Sequence, residues 1–276
     1  MKIRWARRFA VFSLVVLINK IGACEEHSLW RKVGTVLKSD SWNGNEEYLV
    51  KQAFTLSDDN SLKRLCSSTD TSIAIRAYFD QARRMATQKA SLSFIENCEK
   101  RLQVSFPHWL KTAVSNGSFE GTTFFPDLEG IVPYSPSPTH KIGNDLQVEI
   151  DVNSRTLSIT SLKGERVVVS NVDFPMVNGC LTGGASAGRL VIAIHSQYAD
   201  PFEIVCIDIK QMEVCWRATC RDGDNIKFYS GPSSMFVSVH VVDQHVAVCG
   251  ISNGVLFLEI RETENGLLVG RFSSLL

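Results

Sequence analysis

Residues 192–218, IAIHSQYADPFEIVCIDIKQMEVCWRA, lie over residues 246–272, VAVCGISNGVLFLEIRETENGLLVGRF, at a constant shift of 54 without a gap. The correspondence spans 190–218 and 244–272, and it sets Ala193 on Ala247, Asp208 on Glu262 and Arg217 on Arg271. Each copy reads as strand, loop, strand, four-residue turn, strand, because apolar residues alternate with period two between turn residues. A unit of about 50 residues repeating in this way suggests propeller blades or a related array of antiparallel meanders. In the first copy, closing the hairpin at 208–213 sets Cys206 opposite Cys215, Ile207 opposite Val214 and Val205 opposite Trp216. One face then carries Val205, Ile207, Val214 and Trp216, and the other Ile204 and the two cysteines. Both faces are apolar, so the hairpin needs cover on both sides, which stacked sheets provide.

A third hairpin, LSITSLKGERVVVS at 157–170, joins the series when Gly164 is laid on Met212 and Gly266. Leu146, Val148 and Ile150 alternate ahead of it. Turn signals recur at Asn153-Ser154, Lys163-Gly164, Asp222-Gly223, Asn253-Gly254 and Asn265-Gly266. Residues 145–276 therefore read as an all-β half with about two and a half units of this size. A closed propeller needs at least four blades. Either the sheets stay open, or strands from 121–144 and the N-terminal half complete them, or copies of the chain close the ring.

Upstream, Gly121, Pro126, Gly130, Pro133, Pro136 and Pro138 mark residues 121–144 as a Pro/Gly-rich linker. Residues 24–120 form a mostly helical region, in which 25–57 show no clear period. Asp70 or Thr71 caps a helix through Ile73, Ile75, Ala77, Phe79 and Ala82. Ser91 caps another, with Leu92, Ile95, Cys98 and Leu102 at helical spacing. Pro107 opens a short helix that stops at Asn116-Gly117. The fold class is α+β, with N-terminal helices followed by antiparallel meanders resembling partial propeller blades.

Residues 1–23 carry the pattern of a secretory signal peptide. Lys2, Arg4, Arg7 and Arg8 form its basic start, and Phe9 to Ile18 an apolar run too short to span a bilayer. Small residues follow before Cys24. Ile21-Gly22-Ala23-Cys24 resembles a bacterial lipobox, which makes Cys24 a candidate lipidation site and the N-terminus the only membrane anchor expected. Removal of the signal leaves 24 basic against 29 acidic residues, a net charge of −5. The full chain of 276 residues is neutral, 44% hydrophobic and 21% charged, which excludes a disordered chain. No basic run follows the signal, so nucleic acid is not an expected partner.

The hairpins of the β half resemble PQQ-like repeats of quinoprotein-type β-propellers. That family's blade carries an Asp, a Gly four residues on, and a Trp four beyond that, often followed by Arg. Here Asp208, Trp216 and Arg217 keep the pattern while Met212 stands at the Gly position. In the next copy Glu262, Gly266 and Arg271 keep it while Gly270 stands at the Trp position. The resemblance implies a propeller-like scaffold. It does not carry over to cofactor binding, because the chain lacks the family's adjacent cysteines and clustered calcium carboxylates, so no cofactor is expected. A second stretch, FIENCEKRLQVSFPHWLKTAVSNGSF at 94–119, is similar to the SUKH superfamily at Glu99, Leu102, Pro107, Leu110, Asn116 and Gly117. Gln103 replaces that family's Gly, and any helix–Pro–helix hairpin shares these caps.

Eight cysteines contain no CxxC. In an exported chain Cys206 and Cys215 are candidates for a disulfide, and buried free thiols are the alternative. His240, Asp243 and His245 are the only candidate metal ligands; 240 and 245 share a face only if Val242-Asp243-Gln244 is a turn. Gly183 to Gly188 reads as a flexible loop without a phosphate-binding ending. No catalytic elbow or zinc-protease motif occurs. These readings favour an exported, non-catalytic propeller-like binding or scaffold protein with an unknown protein or polymer ligand. The alternatives are an envelope lipoprotein scaffold anchored through Cys24, and an enzyme with an unrecognised site between the helical and β halves.

Overall fold

The computed structural model describes residues 23–39, 44–85, 87–116, 132–133, 139–142, 146–172, 179–196, 202–220, 235–242, 244–252 and 255–273. The expected signal segment up to Gly22, most of the 121–144 stretch and Asp243 lie outside them. The fold is α+β: six helices among the described residues precede three antiparallel sheets.

The helices are α1 (Ala23–Leu37), α2 (Gly44–Thr55), α3 (Asp59–Leu65), α4 (Thr71–Arg83), α5 (Gln88–Leu102) and α6 (His108–Asn116). The first two are the helices of the 25–57 stretch, where the sequence shows no clear period. Leu29, Val33, Val36 and Leu37 do recur at helical spacing, but Gly34 interrupts the signal. Gly34 is there because a Cβ would stand 2.6 Å from the Asp70 carboxylate. Asp70 caps α4, accepting from the Ser72 amide at 3.0 Å, and is paired with Lys38 at 2.8 Å. α5 starts at Thr87 rather than Ser91, since the Thr87 hydroxyl accepts from the Ala90 amide. It ends at Gln103, which takes the left-handed conformation at φ 52°.

The strands are β1 (Val132–Pro133), β2 (Thr139–Ile142), β3 (Leu146–Asp151), β4 (Thr156–Ser161), β5 (Arg166–Val169), β6 (Gly179–Ser186), β7 (Arg189–Ser196), β8 (Phe202–Asp208), β9 (Glu213–Cys220), β10 (Met235–Val242), β11 (His245–Ser252), β12 (Val255–Glu262) and β13 (Leu268–Ser273). The first sheet is β2-β3-β4-β5, the second β1-β6-β7-β8-β9 and the third β10-β11-β12-β13. Each repeat is thus a four-strand meander, not three, and there are three whole units instead of two and a half. The missing strands were β6, β10 and β2. β6 was hidden by its glycines: the segment expected as a loop at Gly183–Gly188 is strand up to Ser186. It then turns tightly at Ala187 (φ 50°) and Gly188 (φ 82°), the hairpin conformation with two left-handed residues. Gly184 admits a neighbour, since a Cβ there would lie 2.6 Å from the Val239 carbonyl of β10. β1 and β2 show that the 121–144 stretch contributes strands to the second and first sheets.

Strand registers refine the repeat. Arg189 pairs with Asp208 and His245 with Glu262, so β7 and β11 correspond at a shift of 56, while β8 and β12 keep 54. The slip is even, so each side chain keeps its face. The β8–β9 hairpin carries a bulge: Ile207 pairs with Val214, but Cys206 pairs with Trp216 and Val205 with Arg217. Trp216 therefore lies on the face of Ile204 and Cys206, not on that of Val205 and Ile207.

The layers stack face to face. Helices and one face of the third sheet (Ala247, Cys249, Leu258, Ile260, Phe272) enclose one core. The other face of that sheet, with Val246, Val248 and Phe257, meets Val191, Ala193, Ile204 and Trp216 of the second. Leu190, Ile192, Ile194, Val205 and Ile207 then meet Val148, Leu157 and Ile159 of the first. The double-sided apolar cover expected of the repeat is met in this way. On the first sheet Gln147, Arg166 and Val168 face outward and exposed. Among the described residues the sheets stay open and do not close into a ring. No described helix is long and apolar enough to cross a membrane.

Candidate binding groove between the second and third sheets

The hairpin turns of the second and third sheets frame a groove of about 510 Å³, lined by Ala187, Arg189, Gln244, His245 and Glu262 to Glu264. Its geometry begins with the repeat turns. Asp208 ends β8 and its Oδ1 accepts from the Lys210 and Gln211 amides at 2.8 and 3.0 Å. The Gln211 amide chiefly, with that of Lys210 and the charge of Arg189, holds the Asp208 carboxyl below its ordinary range. The tight turn ends on Met212 at φ 50°. The same position in the other sheets is Gly164 at 82° and Gly266 at 74°. The Met that departs from the repeat pattern has therefore kept the glycine's backbone.

Arg189, at the start of β7, reaches over this turn. One guanidinium nitrogen, Nη1, stands 2.5 Å from Asp208 Oδ2 and 2.8 Å from Cys215 Sγ. On the opposite wall the Thr263 amide donates to the Gln244 carbonyl at 2.9 Å, which ties two turns of the third sheet together. Glu262 accepts from Asn265 Nδ2 at 2.6 Å. The Thr263 hydroxyl is buried and has no hydrogen-bond partner among the described residues. His245 Nδ1 lies 3.4 Å from the carbonyl of Gln103, which joins the groove's rim to the end of α5.

Trp216, Gly266 and Arg217 join sheet to sheet. Trp216 Nε1 donates to the Thr263 carbonyl at 2.8 Å, and its ring lies on Gly266, where a Cβ would fall 2.6 Å from Cδ2. The Trp of one repeat and the Gly of the next thus form a single latch. Arg217 donates to the Ser170 and Asn171 carbonyls at 2.7 and 2.8 Å, joining the second sheet to the first, and also pairs with Glu203. Arg271 lies buried 3.5 Å from Glu259, which is fully buried and also bound by Arg261 at 2.7 Å. Arg261 spans to the second sheet through the Thr219 carbonyl at 3.4 Å. Position 270 differs because its neighbour differs: a Cβ on Gly270 would meet Ser72 Cα of α4 at 2.8 Å.

His240 and His245 share a face, since His240 pairs with Ala247 and Val242 with His245, so the chain does turn between them. Asp243 lies outside the described residues. Among those residues no three metal-ligating groups converge. His240 is held below its ordinary pKa by burial and lies 2.8 Å from the Ser238 hydroxyl. Cys24 falls in α1, where only its backbone is described. Sequence reasoning did not single out Arg189, Gln244, Thr263 and Glu264, since single polar residues beside turns carry no spacing signal. It also missed buried His195, whose Nε2 lies 3.2 Å from the Thr182 hydroxyl. That hydroxyl lies 3.1 Å from the Val237 carbonyl of the third sheet and donates to it, which makes His195 Nε2 the donor in the other bond.

Compared with known proteins, the chain matches no protein-family model and no curated protein sequence.

Proposed function

We propose that this chain is an exported, non-catalytic binding or scaffold protein with a propeller-like sheet array, and that the groove between the second and third sheets holds its protein or polymer ligand. One observation supports this most. Trp216, Gly266 and Arg217 are engaged in joining layers, while two neighbouring turns leave Gln244, Glu262 and Glu264 accessible around one concave surface. Binding sites gather on such loops because a rigid scaffold holds them.

The test is affinity capture from the native cell with the mature chain, beside a Gln244→Arg/Glu264→Arg variant that retains its thermal midpoint. A ligand retained by the wild type and lost by the variant is the expected result. Capture of nothing, or equal capture by both, overturns the reading. The lipoprotein scaffold alternative rests on Cys24, and intact mass separates the two: a chain beginning at Cys24 with acyl groups is anchored, one without them is not. The enzyme alternative, placed between the helical and β halves, draws on the His245–Gln103 contact across that boundary. Turnover on a substrate panel, lost in His245→Ala, is the observation that would favour it.

A further inference from the structure

We propose that Cys206 and Cys215 form a redox-active dithiol, in which Cys215 is the attacking thiol, Arg189 its activating cation and Cys206 the resolving thiol, with a low-molecular-weight disulfide as oxidant. The geometry comes from the bulge. Cys215 is the extra residue between the Cys206–Trp216 and Ile207–Val214 pairs, so Cys215 and Trp216 together oppose Cys206. All three belong to the apolar cluster on one face of the second sheet. Cys215 is a direct neighbour of the Cys206 thiol, whose Sγ also lies 3.9 Å from the Thr263 carbonyl. The bulge turns Cys215 onto the face of Cys206, where both pack in one cluster and need only a small approach to bond.

The two thiols are not equivalent. Cys206 is buried, and burial first, then the neighbouring Cys215, pushes its thiol up to about 12. Cys215 is half-buried beside the groove, with Arg189 Nη1 at 2.8 Å from its sulfur. Arg189 donates to that sulfur and so fixes a cation beside it, the electropositive and partly exposed setting in which attacking cysteines are found. Arg189 also lines the groove, which gives a small reagent a route to Cys215.

The chemistry balances in two exchanges. Cys215 thiolate attacks one sulfur of the external disulfide, forming a mixed disulfide and releasing one thiolate, which takes a proton from solvent. Cys206 then loses its proton and attacks the Cys215 sulfur of that mixed disulfide. The intrachain bond forms and the second external thiol leaves. Two electrons pass from the protein dithiol to the external disulfide.

The reduced full-length chain is incubated with oxidised glutathione, its remaining thiols are alkylated, and it is cut with trypsin. Cleavage after Arg189, Lys210 and Arg217 places Cys206 in peptide 190–210 and Cys215 in peptide 211–217. The expected product is these two peptides joined, about 2 Da lighter than their sum and separated again by excess thiol. In Cys206→Ser the reaction stops with glutathione on 211–217. In Cys215→Ser no adduct appears on 190–210. Arg189→Gln slows adduct formation on 211–217 by about three- to tenfold, because the cation held against the attacking sulfur is gone. Absence of the joined peptides in the wild type overturns the proposal without any variant. Glutathione arriving first on 190–210, or unchanged kinetics in Arg189→Gln, overturns the assigned roles.

Discussion

Substituting Gly266 by Ala tests whether the Trp216 latch holds the second and third sheets together, and Gly164→Ala supplies its control. Both glycines occupy the same turn position with the same kind of backbone, φ 74° and 82°. Either substitution forces a side chain into the left-handed region, at about 1–2 kcal/mol. Each also reduces the freedom of the unfolded chain by a similar amount, which cancels in the comparison. Their surroundings differ. Nothing lies within 4 Å of a Cβ on Gly164, whereas one on Gly266 meets Trp216 at 2.6, 2.7 and 3.0 Å. The ring has little room to retreat, because Nε1 is held by the Thr263 carbonyl and the residue is packed among Cys206, Ala193 and Phe257. Overpacking of this kind costs about 1–3 kcal/mol. Gly266→Ala should therefore lose about 2–5 kcal/mol in total, and its excess over Gly164→Ala should be about 1–3 kcal/mol. In thermal unfolding that excess corresponds to roughly 2–10 °C. Repeating both substitutions in Trp216→Ala should abolish it, since the clash is then gone. Equal midpoints for the two single variants, or an excess that survives removal of Trp216, would refute the latch.

Gln103→Gly should stabilise the fold by about 0.5–1 kcal/mol, since an exposed residue at φ 52° is relieved of left-handed strain; Met212→Gly should gain less, because Met212 also packs against the core of the first two sheets. A rise in urea midpoint measures both, and no rise in Gln103→Gly contradicts the assignment. Asp80→Asn should cost about 3–5 kcal/mol, because Arg76 is 2% exposed and binds Asp80 at 2.6 Å, whereas Arg76→Met/Asp80→Leu should cost far less; equal losses would show that the charge pair is incidental. His240 has a pKa lowered by burial, so the unfolded chain binds more protons and stability falls as pH drops through the ordinary histidine range. Between about pH 7.5 and about pH 5.5 the wild-type urea midpoint should fall more steeply than that of His240→Gln, and parallel slopes would remove this account.

Much of the array was legible because a strand buried on one face writes period two into the chain, as Leu146, Val148 and Ile150 do, and one buried on both faces writes a continuous apolar run. Leu190 to Ile194 and Val255 to Leu258 are such runs, and their two-faced apolarity correctly called for layers on both sides. What escaped was set by contacts between distant segments. Gly184 reads locally as a loop residue and is a strand residue because β10 passes beside it. Gly34 reads as a helix breaker and sits in α1 because the cap of α4 needs the space. The bulge at Cys215 moved Trp216 to the other face, and a one-residue insertion leaves no trace in an alternating pattern. The groove was illegible for a related reason: its walls come from turns far apart in sequence, with no shared spacing.

The departures from the repeat follow from what each sheet meets. A Trp on the fourth strand is useful only where another sheet presents a glycine turn beneath it. Trp216 of the second sheet finds Gly266 of the third, and both residues are kept. On the third sheet the corresponding strand faces α4, so a Trp at 270 would occupy the space of Ser72 and Ile75. Glycine there lets the helix approach. Arg76 of that helix then reaches Phe272 at 4.9 Å, and Phe79 stacks on the same ring at 4.7 Å. Arg76 lies over Phe54 as well, at 5.5 Å, which draws α2 into the same contact. The helical region thus takes the place that a further sheet would occupy. A stacked array exposes an apolar face at each end unless something covers it. Here helices cover one end, and on the first sheet Gln147 and Arg166 turn the other toward solvent. A repeat that would otherwise need a ring of blades to bury its faces is completed by two different caps.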